Sequence, residues 1–250
     1  MEFKLGKTPA RPDAVKLKFS KYLVATKLPK VPAAFGHETA VKSWGMLGND
    51  NYGDCVWAGG GHETMLWNKV AGHDVAFTPE CVLSDYAAVT GFDPKDPNTD
   101  QGTDMEVAAK YRRTTGLVDA NGKRHKVGAY LDLRPGDLTE HLLAAYLFGA
   151  VGIGIQFPGS AMTQFNQGKP WDVVKGSKVK GGHYIPLLAH RSNLIIVTWG
   201  RTQQMTPAFF KKYNDQSVVY LSEEMLTNGR SSEGFDLATL QADLAAITKK

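Results

Sequence analysis

After Gly149 the sequence changes character, and that change limits the possible folds more than any other feature of the chain. Before it, helix-start signals recur: Thr78-Pro79, Asp104, and the capping-box-like Asp137-Leu-Thr-Glu140, each leading into an apolar run. After it come Val151–Phe157, His183–Ala189, Asn193–Trp199 and Ser217–Leu221, which are short, branched or aromatic, and bounded by turn residues. Helices first and strands second predict an α+β protein. A helical lobe precedes an antiparallel β lobe, with a cleft between them.

Within that frame the first helix runs from Asp54 or Cys55 towards Trp67–Val70 and ends at Gly72. Its Gly59-Gly60-Gly61 run costs about 1 kcal/mol per glycine relative to alanine, which implies very close backbone packing there. Further helices are expected over 78–89, 104–115 and 137–147, with a short one at 206–213 and a last one from Asp236 to Ile247. A hairpin is expected around Ala120-Asn-Gly122, flanked by Leu117-Val118 and Val127–Leu133. Residues 1–35, rich in Lys and Pro, show no period and read as an extended basic arm that lies across the body or engages a partner. The expected division is an arm over 1–35, a helical lobe carrying Cys55 over 36–150, a β lobe carrying His183 over 151–235, and a terminal helix over 236–250.

Composition narrows the function classes. With 42% hydrophobic and 22% charged residues in 250, the chain is ordinarily globular. No apolar run approaches the roughly 20 residues of a membrane span, and the first residues lack a signal-peptide pattern, so a cytoplasmic protein with no membrane partner is the expectation. The net charge of +4 is spread among acids and no nucleic-acid motif is present, so nucleic acid is not the expected partner. Metal-type Cys/His spacing, a P-loop and a dinucleotide fingerprint are missing, and no cofactor or metal is expected. The acidic loop from Asp93 to Glu106 does not follow the EF-hand template and reads as a solvated turn.

Two cysteines are too few for a disulfide scaffold, so each is a buried hydrophobe or a nucleophile. Cys81 reads as structural. Cys55 follows Gly48-Asn-Asp-Asn-Tyr-Gly-Asp54 and opens a helix, where free N–H groups and the helix dipole favour a thiolate. Of seven histidines, His62 lies about 10 Å along the same helix, too far for contact. His183 follows Gly181-Gly182 and opens a strand, a rigid position at a cleft edge. The paired strand Asn193–Trp199 returns polar and aromatic residues towards it.

This order of pieces resembles the papain-like cysteine peptidases: an amide residue, then Cys at a helix start, then Gly-His opening a strand, then a strand ending in Trp-Gly. NDNYGDC also resembles the nucleophile segment of bacterial and phage proteins of this fold. The resemblance implies Cys55 as nucleophile, His183 as general base and Asn49, six residues before Cys55, as oxyanion donor, with Asn51 a competitor. It makes Trp199-Gly200 the pair that shields the histidine, and Gly102 and Gly182 the residues lining a peptide cleft. The family's histidine-orienting Asn falls at Val197, leaving Thr198 as the nearest polar candidate. The Cys-Gly-Ser-Cys-Trp signature is absent, and Asp54 puts a carboxyl beside the thiol. The implied function is cleavage of a peptide or other amide bond. The alternatives are a weak or inactive scaffold serving as a binding or virion structural protein, assembled through the arm, and an amidase acting on cell-wall peptides.

Overall fold

The computed structural model describes residues 2–222, 224 and 235–247. Each cap signal holds a helix start: Thr78 Oγ1 accepts from the Cys81 N–H, Asp104 from Glu106 and Val107, Asp137 from Glu140, and Thr206 from Phe209. The helices are α1 (Cys55–Val70), α2 (Pro79–Thr90), α3 (Met105–Thr114), α4 (Leu138–Phe148), α5 (Gly159–Asn166), α6 (Pro207–Tyr213) and α7 (Leu237–Ile247). The strands are β1 (Phe35–Gly36), β2 (Leu117–Val118), β3 (Arg124–His125), β4 (Val127–Asp132), β5 (Val151–Pro158), β6 (Val179–His190), β7 (Leu194–Thr198), β8 (Arg201–Met205) and β9 (Asn214–Ser222).

One antiparallel sheet runs β4-β9-β5-β6-β7-β8, with β1 paired to β6, and β2-β3 form a separate ribbon. The α+β architecture expected from the sequence is present. Its parts interleave more than the order of elements suggested. β4, from the segment read as helical, lies at the sheet edge beside β9, and the hairpin at Gly122 closes onto β3 rather than onto β4. Helix α5 and strand β8 carried no clear period or cap in the sequence.

Two apolar clusters lie on either side of the sheet. One joins α4, β5, β7 and α6 through Leu143, Ile153, Ile155, Ile196, Trp199 and Phe210. The other joins α1 and α3 to the opposite face through Trp57, Leu66, Trp67, Ala109 and Tyr184. Strand β5 serves both by simple alternation: Ile153 and Ile155 fill the first, while Gly152 and Gly154 leave room on the second side.

The glycine run of α1 has its physical reason in Tyr184. A Cβ on Gly59 would come within 2.5 Å of the Tyr184 ring, and one on Gly152 would overlap its hydroxyl. The ring is clamped between helix and strand, and its hydroxyl donates to Glu63 Oε1 at 2.7 Å. Glu63 also accepts from Arg112 at 2.6 Å, and that guanidinium lies 3.9 Å above Tyr220. This fully buried set ties α1, α3, β6 and β9 together, and each charge in it has its partner, as burial requires.

The basic arm is part of the body. Phe3, Val15, Phe19 and Tyr22 are all buried, Lys18 bridges in parallel to Asp132 beside β4, and Tyr22 donates to Asp243 on α7.

Candidate active site

Cys55 stands at the first position of α1, and His183 on β6, where the two clusters meet. The Tyr184 N–H donates to Cys55 Sγ at 3.4 Å, so the sulfur is held against the strand that carries the histidine. His183 Nε2 lies 2.8 Å from Thr198 Oγ1, and His183 Nδ1 has no hydrogen-bond partner among the described residues. Val197, on the same strand, faces the apolar cluster of α1, so the alternation of β7 delivers Thr198 to the histidine.

The Trp199 indole stacks on the imidazole, with centroids 4.5 Å apart and planes 15° from parallel. Its placement follows from the β7–β8 turn. Thr198 pairs with Arg201, leaving Trp199-Gly200 as a two-residue loop in which both φ angles are positive, 44° and 75°. That is the geometry of a type I′ hairpin turn. Glycine adopts it freely. An aromatic residue does so at a cost of about 1–3 kcal/mol, and such strain concentrates at functional sites.

Asn49 is buried, and its side-chain amide donates to the Tyr52 carbonyl at 3.0 Å, which closes the turn ahead of Cys55. Asn51, the competing oxyanion candidate, is exposed. Asp54 is fully buried, and burial pushes its carboxyl well above the ordinary range against the weaker opposing effect of the neighbouring Asn49 amide. The shift favours the neutral carboxyl beside the thiol.

The cleft is filled by the chain's own arm. The Lys7 N–H donates to the Gly182 carbonyl at 3.0 Å, the Thr103 N–H to Gly6 O at 2.7 Å, and the Thr8 N–H to Thr103 O at 3.1 Å. The arm thus lies between Gly102-Thr103 and Gly182, the two places expected to line a peptide cleft. Gly6 threads the narrowest point, where a Cβ would overlap the Gly53 carbonyl. Its carbonyl oxygen accepts the Thr103 N–H. Phe3 lies over Trp199, stacked at 5.1 Å.

Burial under this arm sets the electrostatics. The Cys55 thiol is pushed up to about 12, chiefly by loss of solvent, against the opposing Tyr184 and Gly6 backbone. His183 is lowered to about 3 by burial alone. Both groups are neutral in this closed state.

Four residues that shape the site carry no signal legible in the sequence. Asp100, read as part of a solvated turn, accepts the Gly53 N–H with both carboxylate oxygens, each at 3.0 Å, and the Tyr86 hydroxyl at 2.7 Å. Tyr86 in turn accepts the Gly102 N–H at 2.9 Å, so one acid and one phenol fix both the nucleophile loop and the cleft wall. Lys7 and Asp215 meet at 3.1 Å inside the cleft. None of these carries a local pattern, since their roles arise from contacts distant in sequence.

No family model matches the sequence, and no curated protein does. Solved structures do. Xylellain, a cysteine protease from Xylella fastidiosa, superposes with a TM-score of 0.69 at 12% identity, covering 88% of this chain and 98% of that one. Procathepsin B S9 from Trypanosoma congolense gives 0.61 at 8% identity, covering 88% and 87%. Digestive procathepsin L 3 of Tenebrio molitor gives 0.58 at 12%, covering 83% and 76%. The chain has the papain-like fold of these cysteine proteases.

Proposed function

We propose that this chain is a papain-like cysteine hydrolase cutting a peptide or other amide bond, held latent by its own residues 3–10. The observation that carries the reading is the set formed by Cys55 at a helix start, His183 bonded to Thr198, and Trp199 stacked on the imidazole. With His183 Nε2–H donated to the Thr198 hydroxyl, the Nδ1 lone pair is left to take the Cys55 proton. The thiolate attacks the substrate carbonyl carbon, and the Cys55 N–H in the first turn of α1 holds the oxyanion. Asn49 assists only if its amide turns from the Tyr52 carbonyl. The imidazolium returns its proton to the leaving amine, and water, deprotonated by His183, hydrolyses the thioester.

Latency follows from the buried, neutral Cys55 and His183 and from the arm strand between Thr103 and Gly182. Two of the similar structures, by name, are also pro-forms. Incubation of full-length wild type and Lys7→Glu with denatured protein and with cell-wall peptides tests the proposal. Turnover is expected from Lys7→Glu and is lost on adding Cys55→Ala. No turnover from an opened variant supports the inactive scaffold instead.

A further inference from the structure

The Lys7 side chain, 1% exposed, lies in a side pocket of the cleft, where its ammonium donates to Asp215 Oδ2 at 3.1 Å and to the Thr8 carbonyl at 3.0 Å. Three elements build this pocket. Gly154 on β5 forms its floor: a Cβ there would lie 2.8 Å from both Lys7 Cδ and Met105 Sδ. Met105, at the start of α3, forms a wall. Asp215, on β9, closes the end.

The placement of Asp215 comes from a β-bulge. Gly154 pairs with Gln216 while the adjacent Ile155 pairs with Asn214, which leaves Asp215 as the extra residue. Bulges re-aim side chains in this way and occur beside active sites. Asn214 fixes the distortion, its amide donating to the Gly154 carbonyl at 2.9 Å and to Ser217 Oγ at 2.9 Å. Asp215 Oδ1 is buried and has no hydrogen-bond partner among the described residues, so the pocket holds an acceptor that Lys7 does not use. The pocket opens onto a groove of about 680 Å³ that also reaches Gln156, Lys180 and Gly102.

We propose that this is the substrate specificity pocket: a peptide that replaces the arm between Thr103 and Gly182 places a lysine side chain on Asp215. The inference rests on the peptidase reading for its biological meaning, but its geometry stands on the arm itself. The residue whose N–H docks on the Gly182 carbonyl is the residue whose side chain enters the pocket, and in the arm that residue is lysine. An apolar side chain there leaves a largely buried carboxylate without a partner, and an acidic one adds repulsion. Sites built around a polar partner reject analogues that lack it far more strongly than apolar pockets do.

The test uses full-length Lys7→Glu, whose arm is repelled by Asp215, in two measurements. Binding of acetyl-Leu-Gly-X-Thr-Pro amides is measured on the added Cys55→Ala background, with X as lysine, norleucine or glutamate. Lysine is expected to bind at least about tenfold more tightly than norleucine. Adding Asp215→Ala removes the lysine preference while norleucine binding persists, which a merely unfolded variant cannot show. Equal binding of lysine and norleucine, or a lysine preference unmoved by Asp215→Ala, overturns the proposal. Cleavage of a mixed peptide library with Cys55 intact separates the two ideas. Turnover without lysine preference sinks the pocket and leaves the peptidase. Lysine-selective binding without turnover sinks the peptidase and leaves the pocket.

Discussion

His183 Nε2 and Thr198 Oγ1 stand 2.8 Å apart in a buried site, so a hydroxyl occupies the place from which the imidazole is oriented. A neutral hydroxyl fixes the ring and its tautomer without stabilising the imidazolium as a carboxylate would. In an arm-displaced background, Thr198→Val is expected to lower kcat by about 100-fold with little change in KM. Thr198→Ser recovers most of it. A pH–rate profile is the decisive readout: an equal profile for Val and wild type contradicts a positioning role.

Lys7 and Asp215 make the arm's buried charge pair, and removing one partner of such a pair costs about 3–5 kcal/mol where solvent cannot reach the other. Asp215 retains 15% exposure, so the expected loss for Lys7→Glu is at the low end, about 3 kcal/mol. Urea unfolding measures it. Unchanged stability contradicts the claim that the arm is docked in solution.

Asp54 carries a pH signature of its own. Its carboxyl is raised in the folded chain, so it favours folding most below its ordinary value near 3.8 and progressively less as pH rises towards the folded value. Asp54→Asn keeps the shape and removes the titration. The variant is expected to gain stability on wild type progressively as pH rises above about 4. A difference that is flat with pH means that Asp54 is ionised in the fold.

Gly59 and Gly152 hold Tyr184 between them. Gly59→Ala alone gains about 1 kcal/mol of helix propensity. The clash with the Tyr184 ring outweighs that gain, and a net loss of about 2 kcal/mol is expected. Adding Tyr184→Ala removes the clash, so the double variant should lose less than the sum of the two single changes. Additive losses contradict the clamp.

Much of this was legible in local sequence. Thr78, Asp104, Asp137 and Thr206 mark helix starts because capping is a contact over a few residues. Cys55, Gly182-His183 and Trp199-Gly200 stood out because each sits at an element boundary with its own local pattern. What was hidden was pairing at long range. Asp100 looked like one acid among several in a turn, yet it fixes Gly53, 47 residues away in sequence. Lys7 looked like one lysine in a basic arm, yet it meets Asp215 across 208 residues. The bulge that re-aims Asp215 depends on the register of β5 against β9, which neither strand states alone. Asn49 shows the converse: its place six residues before the cysteine suggested an oxyanion donor, and the local fold spends its amide on Tyr52.

On the proposed mechanism, Cys55 is a nucleophile activated by His183 once the arm leaves. In the closed state burial holds the thiol neutral until about pH 12, so exposing it lowers that value and raises the thiolate fraction at every lower pH. The direct measurement is iodoacetamide labelling of full-length Lys7→Glu at pH 6, with the rates at Cys55 and Cys81 read separately by mass spectrometry. Labelling of Cys55 is expected to be at least about tenfold faster than that of Cys81, with the excess lost in Lys7→Glu/His183→Ala. Equal rates at the two cysteines, or a fast Cys55 indifferent to His183, contradict it.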